Sequence, residues 1–505
     1  MKFTLLAFKI KRFFYYNVKQ IGLFSGLFFS FIFLPLLYTI DIHFFSQFNI
    51  IDASHYETLK GFNNSLISIL ISILLTTFSV VFVVMQLASS QFSPRILRYF
   101  MTNDLRIQRF IGFYLGALSS IFIIQLLDPF FPHKSQLCLI FSLLISLYCI
   151  LINFPEIIIH LNDNMNVATI TNKIKCEIIN EVDNLYKEKW QKGNFLFYKR
   201  KAIQRKNALV VYWKNQSGYL TEVNYLKLLS SWNTLSDLHN FSPKVTIFQK
   251  PIVGEFIMKD ASEMFIIELE DTFSEADKIK LLDFFEGIVS QVFIVHKYRN
   301  YKQDVNFGVR KLVDIAIKAI SPAVNDPTTC INCIDYIGEV VLKLATRRFP
   351  SSQTLILQQN NIYVNEFNFH EFVNFAFDQI FQWGKNDPIV VRRLIQTVYL
   401  IIPMIENPYN LKVLIHEIED MNLLQIYNFK KSEHTHEQIN VILKELHRLN
   451  KIAKEQIAKL QASGVLSNDC IENCADEVNK LAYQETIDLC QKYFDDYVNR
   501  DIIYQ

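Results

Sequence analysis

The 23 residues 66–88 carry no charged side chain, and three further segments, 21–40, 110–127 and 137–154, are likewise uncharged. A bilayer core of about 30 Å calls for roughly 20 apolar residues in helical form, because every backbone amide there must be bonded inside its own helix. The pattern predicts four transmembrane helices within residues 1–160. In the second of them the hydroxyl side chains share one face. Ser65, Ser68, Ser72, Thr76 and Ser79 recur every three or four residues, and that face runs on through Gln86 to Ser90. Such a stripe is expected to meet a closely packed helix or water. Gly112, Gly116 and Ser120 in the third segment, and Ser142, Ser146, Cys149 and Asn153 in the fourth, have the same spacing.

After residue 160 the pattern changes twice. Residues 165–191 read as an amphipathic helix leaving the membrane, with Ile170, Ile174, Ile178 and Leu185 on one side. Short β-rich runs follow at 208–213, 218–223, 244–249, 252–257 and 264–269, bounded by turn residues such as Pro243, Pro251 and Gly254. From residue 274 helical periodicity dominates almost to the end. The predicted fold class is thus a membrane α-helical part, residues 1–160, followed by an α+β region. Its parts are a linker helix with a small β-rich domain, 161–273, and a helical domain, 274–505.

Composition agrees with this division, since 50% of the residues are hydrophobic and 20% are charged. The first apolar segment is longer than a signal-peptide core and is followed by Asp41 and His43, so it is expected to be retained as an anchor. Nine Lys and Arg flank one side of the predicted helices, at 2, 9, 11, 12, 19, 95, 98, 106 and 109. Lys60 and Lys134 alone flank the other. This bias predicts that both termini and the whole region after the fourth helix are cytoplasmic. Cysteines 176, 330, 333, 470, 474 and 490 then lie in a reducing compartment, where disulfides are not expected. The pairs Cys330/Cys333 and Cys470/Cys474 have metal-compatible spacing, but that spacing also puts two small apolar side chains on one helix face, and neither pair has a second pair at finger-like distance. No metal site and no cofactor are expected.

The most specific local chemistry is the run Phe307-Gly308-Val309-Arg310-Lys311-Leu312-Val313-Asp314-Ile315-Ala316, followed by Ser321-Pro322-Ala323-Val324-Asn325-Asp326-Pro327-Thr328-Thr329. It reads as a helix, a break at Pro322, and a new helix capped by Asp326 with Pro327 in its first turn. Asn386-Asp387-Pro388 repeats the device. Capping explains Asp and Pro. Asn325, Thr328 and Thr329 also gather polar groups at the positive end of a helix, with Arg310 one helix back, so Arg310, Asn325, Asp326, Thr328 and Thr329 form a candidate site for a small anionic ligand. Enzyme signatures are absent: there is no phosphate loop, no Gly-x-Ser-x-Gly, no His-Glu-x-x-His and no dinucleotide fingerprint. His160, His296 and His370 stand alone, as packing histidines do. Lys and Arg exceed Asp and Glu by only two, and the basic clusters adjoin the membrane, where anionic lipid rather than nucleic acid accounts for them.

The run Gln86-Leu87-Ala88-Ser89-Ser90-Gln91-Phe92-Ser93-Pro94-Arg95, with the two motifs above, resembles the bacterial predicted membrane proteins grouped as domain of unknown function 2254. In this resemblance Gln91, Ser93, Pro94, Arg95, Asp314, Ser321, Pro322 and Pro327 are motif positions. Arg299, Gln303 and Asp304 fit an Arg-Thr-x-x-Gln-Asp step in which Asn300 replaces Thr, and Gly218-Tyr219 with Val253-Gly254-Glu255-Phe256 fit the β-rich part, Glu255 replacing Asp. Cys330 stands where the family usually has Ala. The resemblance covers about residues 15–400. It implies a multi-pass protein of the bacterial inner membrane with a cytoplasmic domain, and it carries no activity. The stripes lead to the functional expectation of an oligomeric channel or transport protein with a cytoplasmic regulatory domain. A sensor or scaffold without transport is the alternative, and a membrane-tethered enzyme ranks third.

Overall fold

A computed structural model describes residues 36, 39–40, 52–91, 105–127, 136–187, 205–239, 244–269, 273–300, 303–347, 354–357, 360–365, 367–415, 417 and 436–463. The chain forms two compact units, Met1–Ile170 and Thr171–Gln505.

In the first unit, α1 (Ala53–Gln91) is followed by α2 (Leu105–Leu127) and α3 (Gln136–Tyr148). A single π-helical turn, Cys149–Asn153, joins α3 to α4 (Phe154–Met165). Three stretches are long and apolar enough to cross a membrane: Ser54–Val83, Arg106–Leu126 and Gln136–Asp163. They correspond to three of the four expected spans. The expected span at 21–40 lies outside the described residues apart from 36, 39 and 40. The helices pack through Tyr56, Leu66 and Leu70 of α1, Phe110, Tyr114, Ala117 and Ile121 of α2, and Leu139 and Leu143 of α3. Ser120, Ser142, Ser146 and Asn153 are buried, as are Gly112 and Gly116. The small-residue faces of α2 and α3 thus serve close packing.

The stripe on α1 does not. Ser65, Ser68, Ser72, Thr76, Ser79 and Gln86 are all exposed in the single chain. Four of these hydroxyls donate to the carbonyl one turn back: Ser65 to Gly61, Ser72 to Ser68, Thr76 to Ser72, and Ser79 to Leu75. Back-bonding lets a membrane helix carry hydroxyls on an open face without an unmade donor. The side chains of Ser90 and Gln91 lie outside the described residues.

Helix α5 (Val167–Leu185) runs from the end of the first unit into the second, and its Ile170, Ile174, Ile178 and Val182 are buried at regular helical spacing. Strands β1 (Ala208–Tyr212) and β2 (Gly218–Val223) are followed by α6 (Tyr225–His239), β3 (Val245–Gln249), β4 (Phe256–Ile257) and β5 (Glu263–Leu269). Next come α7 (Glu275–Val292), β6 (Phe293–His296), α8 (Val305–Ala319), α9 (Pro327–Ala345), the pair β7 (Thr354–Leu357) and β8 (Asn360–Tyr363), α10 (Phe369–Gly384), α11 (Pro388–Ile401) and α12 (His436–Ala462). One sheet has the order β1-β5-β3-β8-β7 and the other β4-β2-β6. Trp232, Phe265, Phe285 and Phe293 anchor the core beneath them.

Two features depart from the sequence reading. The run 252–257 is a strand only at its end, because Gly254 turns the chain with φ +98°. Helical structure is also interrupted after residue 274. Strand β8 pairs in parallel with β3, Ile247 opposite Ile362, so the larger sheet draws on chain from both sides of residue 273. Strands β7 and β8 are four residues each, too short for alternation to stand out between helical neighbours.

Candidate functional site

A cavity of about 210 Å³ lies within the second unit, where several elements end together. Tyr186 follows α5, Tyr225 begins α6, Gln249 ends β3, and Phe367 and Phe372 frame the start of α10. The N-terminus of α8, with Gln303, Asp304, Val305 and Asn306, closes one side. Aromatic rings and amide side chains therefore share the walls.

The α8 end is built by two sequence motifs that meet in space. Arg299 grips Asp304 through two hydrogen bonds, Nε to Oδ2 at 2.9 Å and Nη2 to Oδ1 at 3.0 Å. Asp304 also caps the helix by accepting from Phe307 N at 3.0 Å. It is 3% exposed. Burial raises its pKa, while the Arg299 charge and hydrogen bonds oppose the rise. Gly254 lies against this pair: a Cβ there would come within 2.5 Å of Arg299 Nη2 and 2.7 Å of Asp304 Oδ2, and its φ is already in the left-handed region. Gln303 adopts φ +59°. Its side chain accepts from Val223 N at 3.0 Å, and its own N–H donates to Glu181 on α5 at 3.0 Å. The motif thus clamps α5, β2 and α8 around the cavity.

Most polar groups in the wall are engaged. Tyr225 donates to Gln249 Oε1 at 2.9 Å, Gln249 Nε2 donates to Pro251 O at 2.9 Å, and Asn365 donates to Lys250 O at 2.7 Å. Asn306 is the exception. It is 7% exposed, and its Oδ1 is buried with no hydrogen-bond partner. An acceptor left in that state costs about 1–3 kcal/mol.

The expected anion loop has a different geometry. The Arg310 guanidinium pairs with Asp314 at 2.9 Å, donates to Gln379 at 2.6 Å and stands over the Phe375 ring. Asp326 accepts from Thr329 N at 3.1 Å and from its hydroxyl at 2.6 Å. Asn325, at φ +50°, and Thr328 are exposed. Arg310 and Asp326 each have their bonding satisfied within their own surroundings, and those bonds do not join them. Asp387 caps α11 in the same way as Asp326 caps α9. Ser321 donates to Lys318 O within the loop before α9, Pro322 is exposed there, and Pro327 opens the helix. Ser93, Pro94 and Arg95 lie outside the described residues. Cys330 and Cys333 are fully buried, and burial pushes the Cys330 thiol up to about 12. Among the described residues no group of three or more His, Cys, Asp or Glu gathers; Cys470 and Cys474 lie outside them. His160 is buried in the first unit, His296 sits on β6 and His370 is exposed on α10.

Sequence reasoning missed Asn306, Tyr225, Gln249 and Asn365. Asn306 left one signal: it falls with Val309 and Val313 on the apolar side of a predicted helix.

The model of the family described as Predicted membrane protein (DUF2254) matches residues 18–399. The chain belongs to that family. An uncharacterised protein of Mycobacterium tuberculosis strain CDC 1551 is 24% identical over 360 residues, covering 69% of this chain and 65% of the relative. An uncharacterised protein of Mycobacterium bovis is 24% identical over 358 residues, with the same coverage. The chain therefore spans less than two thirds of the length of these relatives. No solved structure matches. All the cavity residues fall within the family match.

Proposed function

We propose that this DUF2254 protein is an oligomeric protein of the bacterial inner membrane whose second unit is a cytoplasmic, ligand-binding regulatory domain. The observation that carries this reading is that Asn306, whose buried Oδ1 has no hydrogen-bond partner, is among the residues lining a cavity of about 210 Å³. The ligand class is a small, flat molecule with an N–H or O–H donor, held between aromatic rings. Chain connectivity favours regulation of the membrane part. Helix α5 begins two residues after α4 ends, and Leu185 at its far end lines the cavity.

The test is a thermal-shift panel of planar donors, such as adenine, guanine and indole with their N-methylated forms, on the full-length protein in detergent. At least one donor is expected to stabilise wild type but not Asn306→Leu. If no panel member shifts the wild type, and no small molecule co-purifies with it by native mass spectrometry, the reading fails.

Transport is the activity we assign to the regulated membrane part, and the exposed hydroxyl stripe of α1 supports it. The stripe sits beside a strongly apolar exposed face that includes Leu75, Phe78 and Phe82. Three or four helices are few to enclose a path, so several copies would bring their stripes together. In an otherwise Cys-free protein, Ser72→Cys and Thr76→Cys are expected to react with charged, membrane-impermeant thiol reagents, and Phe82→Cys is not. Inertness at all three positions would reject a water-lined stripe and leave the sensor or scaffold reading.

A further inference from the structure

Four helices of the second unit end together at one tip. Arg310 donates to Gln379 at 2.6 Å, and further along both helices Ile320 Cδ1 lies 3.4 Å from where a Cβ on Gly384 would stand, so α8 and α10 run in the same direction. Helices α9 and α11 return from that end side by side. Arg393 Nη2 donates to Asp335 Oδ2 at 2.7 Å, and Thr397 packs on Gly338. The tip therefore carries the α8–α9 loop, the α10–α11 loop and the last or first turn of each helix.

Large apolar side chains stand open there. Trp383, in the last turn of α10, is 64% exposed, Ile389, in the first turn of α11, is 59% exposed, and Val324 in the α8–α9 loop is 37% exposed. Pro322 and Ala323 are exposed beside Val324. The charged side chains of the tip balance: Lys318 and Lys385 stand against Asp326 and Asp387, whose carboxylates accept from the first amides of α9 and α11. A Trp among aliphatic side chains, without net charge, suits the boundary between lipid headgroups and acyl chains.

The tip also points toward the end at which the chain enters this unit. Helix α5 lies along α9: Lys175 pairs with Glu339 at 2.8 Å and Asp183 with Lys343 at 3.0 Å, in the same order along both helices. The two helices are parallel. Helix α9 begins twelve residues before Glu339, a rise of about 18 Å, and α5 begins eight residues before Lys175, about 12 Å. The start of α9 thus reaches as far as the start of α5, which follows α4 and the apolar stretch Gln136–Asp163 by a few residues.

We propose that this tip docks on the bilayer surface at which the chain leaves its last span, with Trp383, Ile389 and Val324 seated between headgroups and acyl chains. Three large side chains are few for a protein interface. They suffice for lipid, because the short connection through α5 makes the contact intramolecular, and a tethered contact needs little area. Since the charges balance, apolar insertion rather than attraction to anionic lipid holds the tip.

The test uses the full-length protein in nanodiscs of palmitoyl-oleoyl phosphatidylcholine and phosphatidylglycerol, compared with nanodiscs whose phosphatidylcholine is brominated on an acyl chain. Trp383 is one of four tryptophans, and Trp213 and Trp232 are buried in the β-rich core. Bromine is expected to quench up to one tryptophan's share of the wild-type emission, and Trp383→Phe is expected to remove that loss. An increase in salt of about tenfold, which shortens the Debye length about threefold, is expected to leave the quench unchanged. In an otherwise Cys-free protein, fluorophores on Val324→Cys and Ile389→Cys are expected to be quenched by brominated lipid, whereas one on Ile279→Cys of α7, 60% exposed, is not. The tryptophan measurement needs no cysteine replacement and decides the matter if the Cys-free chain fails to fold. A quench equal in wild type and Trp383→Phe would overturn the docking. Labels at 324 and 389 shielded from aqueous iodide but untouched by bromine would assign the tip to a protein partner instead, and loss of the quench in high salt would overturn insertion.

Discussion

Replacing Lys311 by Met removes a charge from the interior of α8, where the side chain is 3% exposed and Nζ lies 4.6 Å from the centre of the Phe307 ring. Burial pushes the ammonium down from 10.5 to about 8, and Glu177 on α5 pulls the other way. Because the folded-state pKa is the lower one, the unfolded chain holds this proton more tightly. The stabilising contribution of the group is complete above about pH 10.5, is lost as the pH falls toward 8, and stays lost at neutral pH. At about 1.4 kcal/mol per pH unit, the whole difference is about 3 kcal/mol. Lys311→Met is therefore expected to be more stable than wild type at pH 7 by up to that amount and to converge with it toward pH 10.5.

The assay is denaturant unfolding of the full-length protein followed by tryptophan fluorescence at pH 7, 8, 9 and 10. Trp190, Trp213, Trp232 and Trp383 all belong to the second unit, so the signal reports that unit without interference from the membrane helices. A variant less stable than wild type at pH 7, or a gap that stays constant between pH 8 and 10, would refute the reasoning. Either outcome would mean that the ammonium is held in its site by interactions stronger than its desolvation.

Asn306→Leu is expected to raise stability by about 1 kcal/mol, since it replaces an unmade buried acceptor with an apolar group of similar size; loss of stability would show that Asn306 is a structural residue. Gly254→Ala is expected to cost about 2–4 kcal/mol by combining left-handed backbone strain with displacement of the Arg299–Asp304 pair, and a change below 1 kcal/mol in chemical unfolding would contradict the described packing. Asp326→Ala is expected to cost about 1 kcal/mol and Asp326→Ser almost nothing, with Asp387→Ala matching the former. A phosphate-dependent rise in melting temperature, lost in Arg310→Gln, would instead favour an anion at the Asp326 loop.

What was legible in the chain was whatever repeats along it. The apolar windows marked three described helices, and the face through Ile170, Ile174 and Ile178 marked α5. The run at 218–223 coincides with β2. Helix starts at Asp326 and Asp387 were readable because a cap is a local device: the side chain bonds an amide two or three residues on. Strand β8 was not readable, because its place beside β3 is set by partners more than 100 residues away in sequence. The stripe on α1 was visible as a pattern, but which way it faces depends on where α2 and α3 dock. Arg310 was singled out for its charge and turned out to be paired four residues away, with Asp314.

The cavity shows how folding rules and function separate at single residues. Gly254 and Gln303 both adopt left-handed backbone conformations, yet each has a structural account: the glycine admits the Arg299–Asp304 pair, and the glutamine pins β2 and α5. Asp304 is a buried carboxylate, but its charge is matched and its oxygens are bonded. Gln249 and Asn365 are bonded as well. Subtracting these leaves Asn306, a polar side chain at the start of a helix whose apolar neighbours would welcome Leu. Sequences break a local rule without compensation chiefly where function requires it. The family motif around Arg299, Gln303 and Asp304 is then scaffold, and Asn306, two positions into the helix it caps, is the residue on which the proposed ligand site is to be tested.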